Sequence, residues 1–230
     1  KVALVTGAAK RIGKAIALRL AEDGWNVAIH YRSSAAKAEA VAAEARLRGV
    51  KAMTVEADLA KEREVEAVIP KVADHLGEVS LLVNNASVFE MDKAETVTRA
   101  SWDKHIETNL RAPFVLSQAF ARQFTGDREG NIINLLDQKL FNLNPDFLSY
   151  TLSKAALLTP PTLGRGRGGG EWAGRRCRRQ PAGRHADPGP AVVGHDDDGG
   201  QLPDALVIHA NPNGGLLQTS TPLPFNSSDL

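Results

Sequence analysis

The chain has a single cysteine, Cys177, so it can close no internal disulfide, which is the usage expected of a reducing compartment. It has no run approaching the roughly 20 apolar residues that span a bilayer, so a membrane-embedded protein of that kind is not expected. An excess of one charge is also lacking: 28 basic and 27 acidic residues leave a formal net charge of +1. No overall field therefore draws the protein toward nucleic acid or a membrane surface, and an acidic ligand has to be held locally. A secretory leader is not expected either. The opening KVALVTG already reads as a buried strand rather than as the charged and apolar parts of a leader. Together these absences predict a soluble cytoplasmic protein, about one α/β domain in size at 230 residues, with neither a nucleic-acid nor a membrane partner.

Glycine and proline are scarce through residue 159, with 7 and 3 respectively, whereas 13 and 9 follow from Pro160 onward. In the first part, short apolar runs alternate with amphipathic stretches. VALVT, VAIHY, KAMTVEAD, SLLVNNA and NIINLLD read as strands; IGKAIALRLAEDG, AAKAEAVAAEARLRG, REVEAVIPKVADHLG and the long SWDKHIETNLRAPFVLSQAFARQF read as helices. Strands joined by helical crossovers of this length pair in parallel, and right-handed crossovers place helices on both faces. The expectation is an α/β, doubly wound parallel sheet of the Rossmann kind.

From Pro160 the text changes to PPTLGRGRGGGEWAGRRCRRQPAGRHADPGP, which has neither a 2-residue nor a 3.6-residue apolar period. The chain is therefore divided into an α/β domain, 1–159, and an atypical Gly/Pro/Arg-rich segment, 160–230, expected to be poorly ordered. Only Ala205 to Ala210, ALVIHA, reads as a strand there. Aromatic residues are too sparse among Arg165 to Arg184 to favour a nucleic-acid arm.

TGAAKRIG, Thr6 to Gly13, follows the first strand and opens the first helix, the context that a phosphate-binding turn requires. Gly7 permits a tight turn and Gly13 a close approach of helix to sheet. Backbone N–H groups at the helix start would face a pyrophosphate, where the helix dipole favours negative charge. The second strand ends where an NAD-binding protein usually carries a carboxylate for the ribose 2′-hydroxyl. Arg32, Ser33 and Ser34 stand there instead, a cation and hydroxyls suited to a 2′-phosphate, so NADPH is expected over NADH. Asp58, at the end of the third strand in EADL, is placed to bond an adenine amino group, or else to cap the helix that follows.

NNAS, Asn84 to Ser87, closes the fourth strand, and YTLSK, Tyr150 to Lys154, opens the helix after the fifth. A tyrosine and a lysine four apart share one helix face, so the ammonium is expected to lower the phenol pKa and make Tyr150 a proton donor. His30, His75 and His105 have no metal-ligand spacing and read as packing or surface residues, and no metal site is expected.

With TGxxxRIG, ADL, NNAS, ETN and YxxxK in that order, residues 1–159, about two thirds of the chain, resemble the short-chain dehydrogenase/reductase family. Most members carry a glycine where Arg11 stands and a serine where Asp137 stands, thirteen residues before the tyrosine. Both departures, with HYRSS and NNASVF, resemble the pteridine-reductase subgroup. The resemblance implies an NADPH-dependent reduction of a dihydropterin or dihydrofolate, with hydride passing to a C=N bond. Tyr150 and Asp137 are implied as the proton-donor system, Lys154 as the holder of the ribose hydroxyls, and Asn109 as the residue of a helix kink and water relay. Gly7, Lys10, Arg11, Ile12, Gly13, Tyr31, Arg32, Ser33, Asp58, Leu59, Asn85, Ala86 and Ser87 are implied at the cofactor. Arg11, Ser87 and Phe89 are implied at the substrate, with Phe89 stacking on the pterin ring.

Two other readings stand beside this one. The same Tyr150 and Lys154 would serve a carbonyl reductase of the 3-oxoacyl carrier-protein or sugar type, against which Asp137 and Arg11 argue. Alternatively, the protein is an inactive nucleotide-binding or interaction protein, for which the changed C-terminal part argues. The family pattern departs at TPPTLGRG, where Pro160 and Pro161 are expected to stop a helix that runs on in other members. The helix through which the family forms homotetramers, the sixth strand and the substrate loop are not recognisable beyond that point. A shift of reading frame near Pro160 would account for all three losses. Read one base later, CRRQPAGRHADPG permits Val-Val-Ala-Asn-Pro-Pro-Gly-Val-Thr-Leu, and sequencing the coding DNA decides the matter.

Overall fold

The computed structural model describes residues 1–123 and 130–158, together with the backbone of two further strands, 205–210 and 216–218. Its elements in chain order are β1 (Val2–Val5), α1 (Arg11–Glu22), β2 (Asn26–Tyr31), α2 (Ala35–Leu47), β3 (Ala52–Glu56), α3 (Glu62–Leu76), β4 (Leu81–Asn84), α4 (Arg99–Ile106), α5 (Ala112–Arg122), β5 (Asn131–Asp137), α6 (Leu148–Leu158), β6 (Ala205–Ala210) and β7 (Leu216–Gln218). A π-helical turn, Glu107–Arg111, joins α4 to α5. Of the run expected as one helix from Ser101 to Phe124, the described part up to Arg122 is a continuous helical path with a π turn in its middle, and Phe124 lies outside the described residues.

The sheet order is β3-β2-β1-β4-β5-β6-β7, and β1 to β5 pair in parallel. This is the expected doubly wound arrangement. Its topological switch point lies between β1 and β4, where Val5 stands opposite Val83, and ligands of such sheets bind in the crevice beyond the strand ends at this point. The period-2 alternation of β1 explains both layers. Val2 and Leu4 pack on one face against Val65, Val68, Ile69, Leu116 and Phe120 of α3 and α5. Ala3 and Val5 pack on the other against Ala17, Leu18, Ala38 and Val41 of α1 and α2. Because β1 is buried on both faces, it reads as an unbroken apolar run.

The sheet departs from the all-parallel expectation beyond β5. Strand β6, the one strand read in the C-terminal segment, runs antiparallel to β5, with Ile133 opposite His209, and β7 runs antiparallel to β6. The edge of β5 presents backbone N–H and C=O groups that accept a partner in either direction, and β6 covers it. The expected helix stop at Pro160 and the frame change lie outside the described residues, as does most of the segment expected to be poorly ordered. Among the described residues no helix is long and apolar enough to cross a membrane, and no cluster of His, Cys, Asp and Glu could hold a metal ion.

Candidate active site

The turn between β1 and α1 is built against the end of β4. Gly7 has φ 65°, a left-handed conformation that only glycine adopts without strain. A Cβ on Gly13 would lie 2.5 Å from both the Gly7 carbonyl oxygen and Asn85 Nδ2, so the close approach read from the sequence is sterically enforced. Asn85 Nδ2 donates to the Thr6 carbonyl at 2.7 Å. The Thr6 hydroxyl accepts from the Asn85 and Ala86 backbone N–H groups, both at 2.9 Å. Thr6 therefore ties the two strand ends together, a role hidden inside the glycine motif.

No side chain caps α1 at Lys10, its exposed first flanking residue. Arg11 opens the helix with φ 54°, a backbone region that costs an L-residue about 1–2 kcal/mol. This explains in physical terms why a glycine would be the easy residue at that position. Ile12 packs its side chain onto the α1–α2 core.

At the end of β2, Arg32 and Ser33 are exposed, and Arg32 has no ion-pair partner among the described residues. Ser34 flanks the start of α2, and Tyr31 donates its hydroxyl to Glu56 at 3.2 Å. Strand β3 ends at Glu56, two residues before Asp58. Asp58 accepts from Ala60 N–H at 3.1 Å, while Lys61 is the residue flanking α3, so Asp58 forms a local turn and does not cap that helix. Leu59 is buried beside it.

The catalytic candidates meet at the end of β5. The Tyr150 hydroxyl donates to Asp137 Oδ2 at 2.5 Å, and Asp137 Oδ1 accepts from the Lys139 N–H at 2.8 Å. Asp137 thus caps the short turn after β5 and engages Tyr150 at once, one oxygen for each. Lys154 Nζ donates to the Leu135 carbonyl at 2.9 Å. Two residues one turn apart on α6 therefore grip two positions on β5.

The electrostatics differ from the sequence expectation. Burial and the adjacent Asp137 carboxylate push the Tyr150 phenol well above its ordinary range, with Ser87 acting in the opposite sense. The expected lowering by Lys154 is not found, because its ammonium is held on the Leu135 carbonyl, 5.9 Å from the phenol ring centre. Burial instead lowers Lys154 itself to about 8, against an opposing contribution from Asp137.

Asn109 lies in the π turn and is fully buried. Its Oδ1 accepts from Val88 N–H at 2.8 Å and from the Ser87 hydroxyl at 3.3 Å. Its Nδ2 donates to the Val88 carbonyl at 2.9 Å and to Ser153 Oγ at 3.1 Å. Phe89 follows, 49% exposed, with its ring stacked on Phe147 at 4.1 Å and edge-on to Tyr150 at 4.7 Å. Tyr150, Asp137, Phe89, Ser87 and Asn109 thus share one neighbourhood, and Gly7, Gly13, Asn85 and Ala86 share the adjoining one.

Two histidines are not surface residues. His30 accepts from Gly7 N–H at Nδ1 (3.0 Å) and presents Nε2 to the Ala57 carbonyl at 3.1 Å, which fixes the proton on Nε2. Burial depresses it to about 4, only partly offset by the Ala57 bond. His105 is wholly buried near Tyr150. His30 stands in the apolar run VAIHY and His105 in the amphipathic run SWDKHIETNL, and neither pattern carries a local signal of their side-chain bonds. Phe147, with φ 59°, is likewise invisible as a site residue in PDFLSY.

The short chain dehydrogenase pattern matches residues 1–159. The chain belongs to the short-chain dehydrogenase family. Over 158 residues it is 40% identical to a 3-oxoacyl-[acyl-carrier-protein] reductase of Staphylococcus epidermidis, covering 69% of this chain and 65% of that one. Among solved structures it is similar to the FolM alternative dihydrofolate reductase 1 of Brucella suis in complex with NADP, with 42% identity, TM-score 0.65 and coverage of 68% and 65%. It is also similar to a short chain dehydrogenase from Burkholderia cenocepacia in complex with NADP, with 38% identity, TM-score 0.64 and coverage of 68% and 63%. The matched part spans just under two thirds of the length of these relatives.

Proposed function

We propose that the protein is an NADPH-dependent reductase of dihydropterins or dihydrofolates. The bond between Tyr150 and Asp137 carries the reading. A carboxylate beside the phenol cannot ionise together with it at low cost, so the pair retains one proton in the free protein. That suits delivery of a proton to a basic ring nitrogen, while a serine would suit a carbonyl oxygen.

The fit to a dinucleotide rests on the chemistry of the donors: a glycine turn at an uncapped helix start and an exposed cation with a hydroxyl at the end of β2. Arg32 and Ser33 would hold the 2′-phosphate, and Asp58, Leu59 and Tyr31 would border the adenosine end. Gly7, Lys10, Arg11, Ile12 and Gly13 would surround the pyrophosphate, and Asn85, Ala86 and Ser87 the nicotinamide ribose. When bound, the dinucleotide supplies a hydride from the nicotinamide ring.

Tyr150 and Asp137 supply the proton to the nitrogen of the C=N bond whose carbon receives the hydride. Lys154 would hold the ribose hydroxyls, Asn109 fixes the loop at Val88 and would line the proton path, and Phe89 and Arg11 would present a ring face and a cation to a flat polar substrate. The Brucella relative's description as a dihydrofolate reductase supports this reading. The domain division at residue 159 is carried with it; the family's homotetramer is not, since the helix that forms it is not recognisable in the sequence beyond Pro160.

The Staphylococcus relative favours a second reading, reduction of a 3-oxoacyl thioester by the same Tyr150 and Lys154. Parallel assays of dihydrobiopterin and an acetoacetyl thioester, each with NADPH, separate the two. Oxidation of NADPH by the pterin supports the proposal; turnover of the thioester alone removes it. Saturable NADPH binding with turnover of neither points to an inactive nucleotide-binding protein.

A further inference from the structure

Residues 87 to 92 leave β4 as a loop, yet Phe89 within it is held at both neighbours. Val88 is bonded through its N–H and its carbonyl to Asn109. Glu90 N–H donates to His105 Nε2 at 3.1 Å. His105 and Asn109 are four positions apart on one helical path, which Thr98 and Ser101 start with a reciprocal capping box. Two buried side chains on one helix thus pin the backbone on either side of one exposed aromatic ring.

The other edge of His105 faces the helix that carries Tyr150. Because Nε2 accepts from Glu90, the ring proton sits on Nδ1, which lies 2.9 Å from the Ser101 carbonyl and 2.6 Å from Ser149 Oγ. The Ser149 hydroxyl in turn donates to the Asp92 carboxylate, and Asp92 Oδ1 accepts the Ser149 N–H at 3.0 Å, which anchors the start of α6. This is not a hydrolytic triad. The serine proton is directed to the carboxylate rather than to the imidazole, and Ser149 and His105 are both 0% exposed, beyond the reach of a substrate carbonyl.

We infer that His105 is a positioning residue that sets Phe89 relative to Tyr150, and thereby the binding of a flat heteroaromatic substrate. Its Nε2 side holds the loop carrying Phe89, and its Nδ1 side holds the helix carrying Tyr150. The exposed Glu90–Lys104 ion pair spans the same loop, but exposed pairs add little to such a fixture. That the wall binds a dihydropterin rests on the proposed function; that His105 fixes the wall does not.

The two nitrogens can be tested separately in the full chain. His105→Asn keeps a donor where Nδ1 stands and loses the loop bond. His105→Gln carries a side-chain oxygen to where Nε2 stands and loses the Ser149 side. Amide hydrogen exchange at Glu90 is expected to accelerate by roughly tenfold in H105N and to stay near wild type in H105Q, with β1 to β5 unchanged in both. For dihydrobiopterin, H105N is expected to raise KM several-fold with kcat nearly unchanged. Equal exchange at Glu90 in wild type and H105N, or an equal rise in H105N and H105Q, overturns the assignment. Accelerated exchange in a protein that reduces no dihydropterin leaves the fixture standing and removes the proposed substrate.

Discussion

The Tyr150 hydroxyl and the Asp137 carboxylate lie 2.5 Å apart at the end of β5, so the phenol is both a donor to a carboxylate and a group that resists ionisation. In the free protein Tyr150 is thus the protonated partner. Replacing it by phenylalanine removes the proton source and is expected to lower kcat for a dihydropterin by about 10²- to 10⁴-fold, with NADPH affinity within a few-fold of wild type. Single-turnover rates together with a fluorescence titration of NADPH check both halves.

Lys154 gives the proposed reaction an alkaline limit. Burial lowers its ammonium to about 8 in the free protein, so its charge is lost as pH rises through that value. The profile of kcat/KM against pH, which reports the free enzyme, is expected to fall above about pH 8 in wild type. In Lys154→Met the rate is low throughout and that limb is absent. A wild-type limb that persists unchanged in K154M contradicts the assignment.

Arg32 is the charge on which the choice of dinucleotide rests. Arg32→Asp is expected to weaken NADPH by at least tenfold, the scale of one charge-assisted bond, and to leave NADH nearly unchanged or improved. Equal losses for both dinucleotides would point to a structural effect at the end of β2.

His30 ties acid stability to the phosphate-binding turn. The fold requires the neutral ring, since Nδ1 accepts from Gly7 N–H and Nε2 bonds Ala57. Its folded pKa of about 4 lies below the unfolded value of 6.5, so its contribution is complete above pH 6.5 and is lost as pH falls toward 4. That difference corresponds to about 3 kcal/mol. Urea melts of wild type and His30→Gln between pH 7 and 4 are expected to converge as the pH falls; parallel curves would show that His30 is not the group involved.

Much of this arrangement was legible in the sequence, because it depends on local pattern. The apolar run of β1 and the glycines at 7 and 13 announce a strand, a turn and a helix start. The order of NNAS, ETN and YxxxK then fixes which strand ends come together. Side chains whose partners are remote in sequence were not legible. Thr6, His30, His105 and Phe147 act through bonds or ring contacts with residues on other elements, and a strand or helix period reports only that such residues point inward. The antiparallel β6 was legible as a strand but not in its direction, which depends on the path of the chain between α6 and Ala205. The effect of Lys154 on Tyr150 failed for a geometric reason: a shared helix face brings the two close, but the Leu135 carbonyl takes the ammonium.

The most direct test of the central claim is NADPH oxidation by the full chain with dihydrobiopterin, measured beside an acetoacetyl thioester and repeated with Asp137→Ser. The account predicts pterin-dependent oxidation by wild type that falls at least tenfold in D137S, the scale of one lost charge-assisted bond in the proton-donor pair. Thioester turnover by wild type with no pterin turnover, or pterin turnover unchanged in D137S, would contradict it.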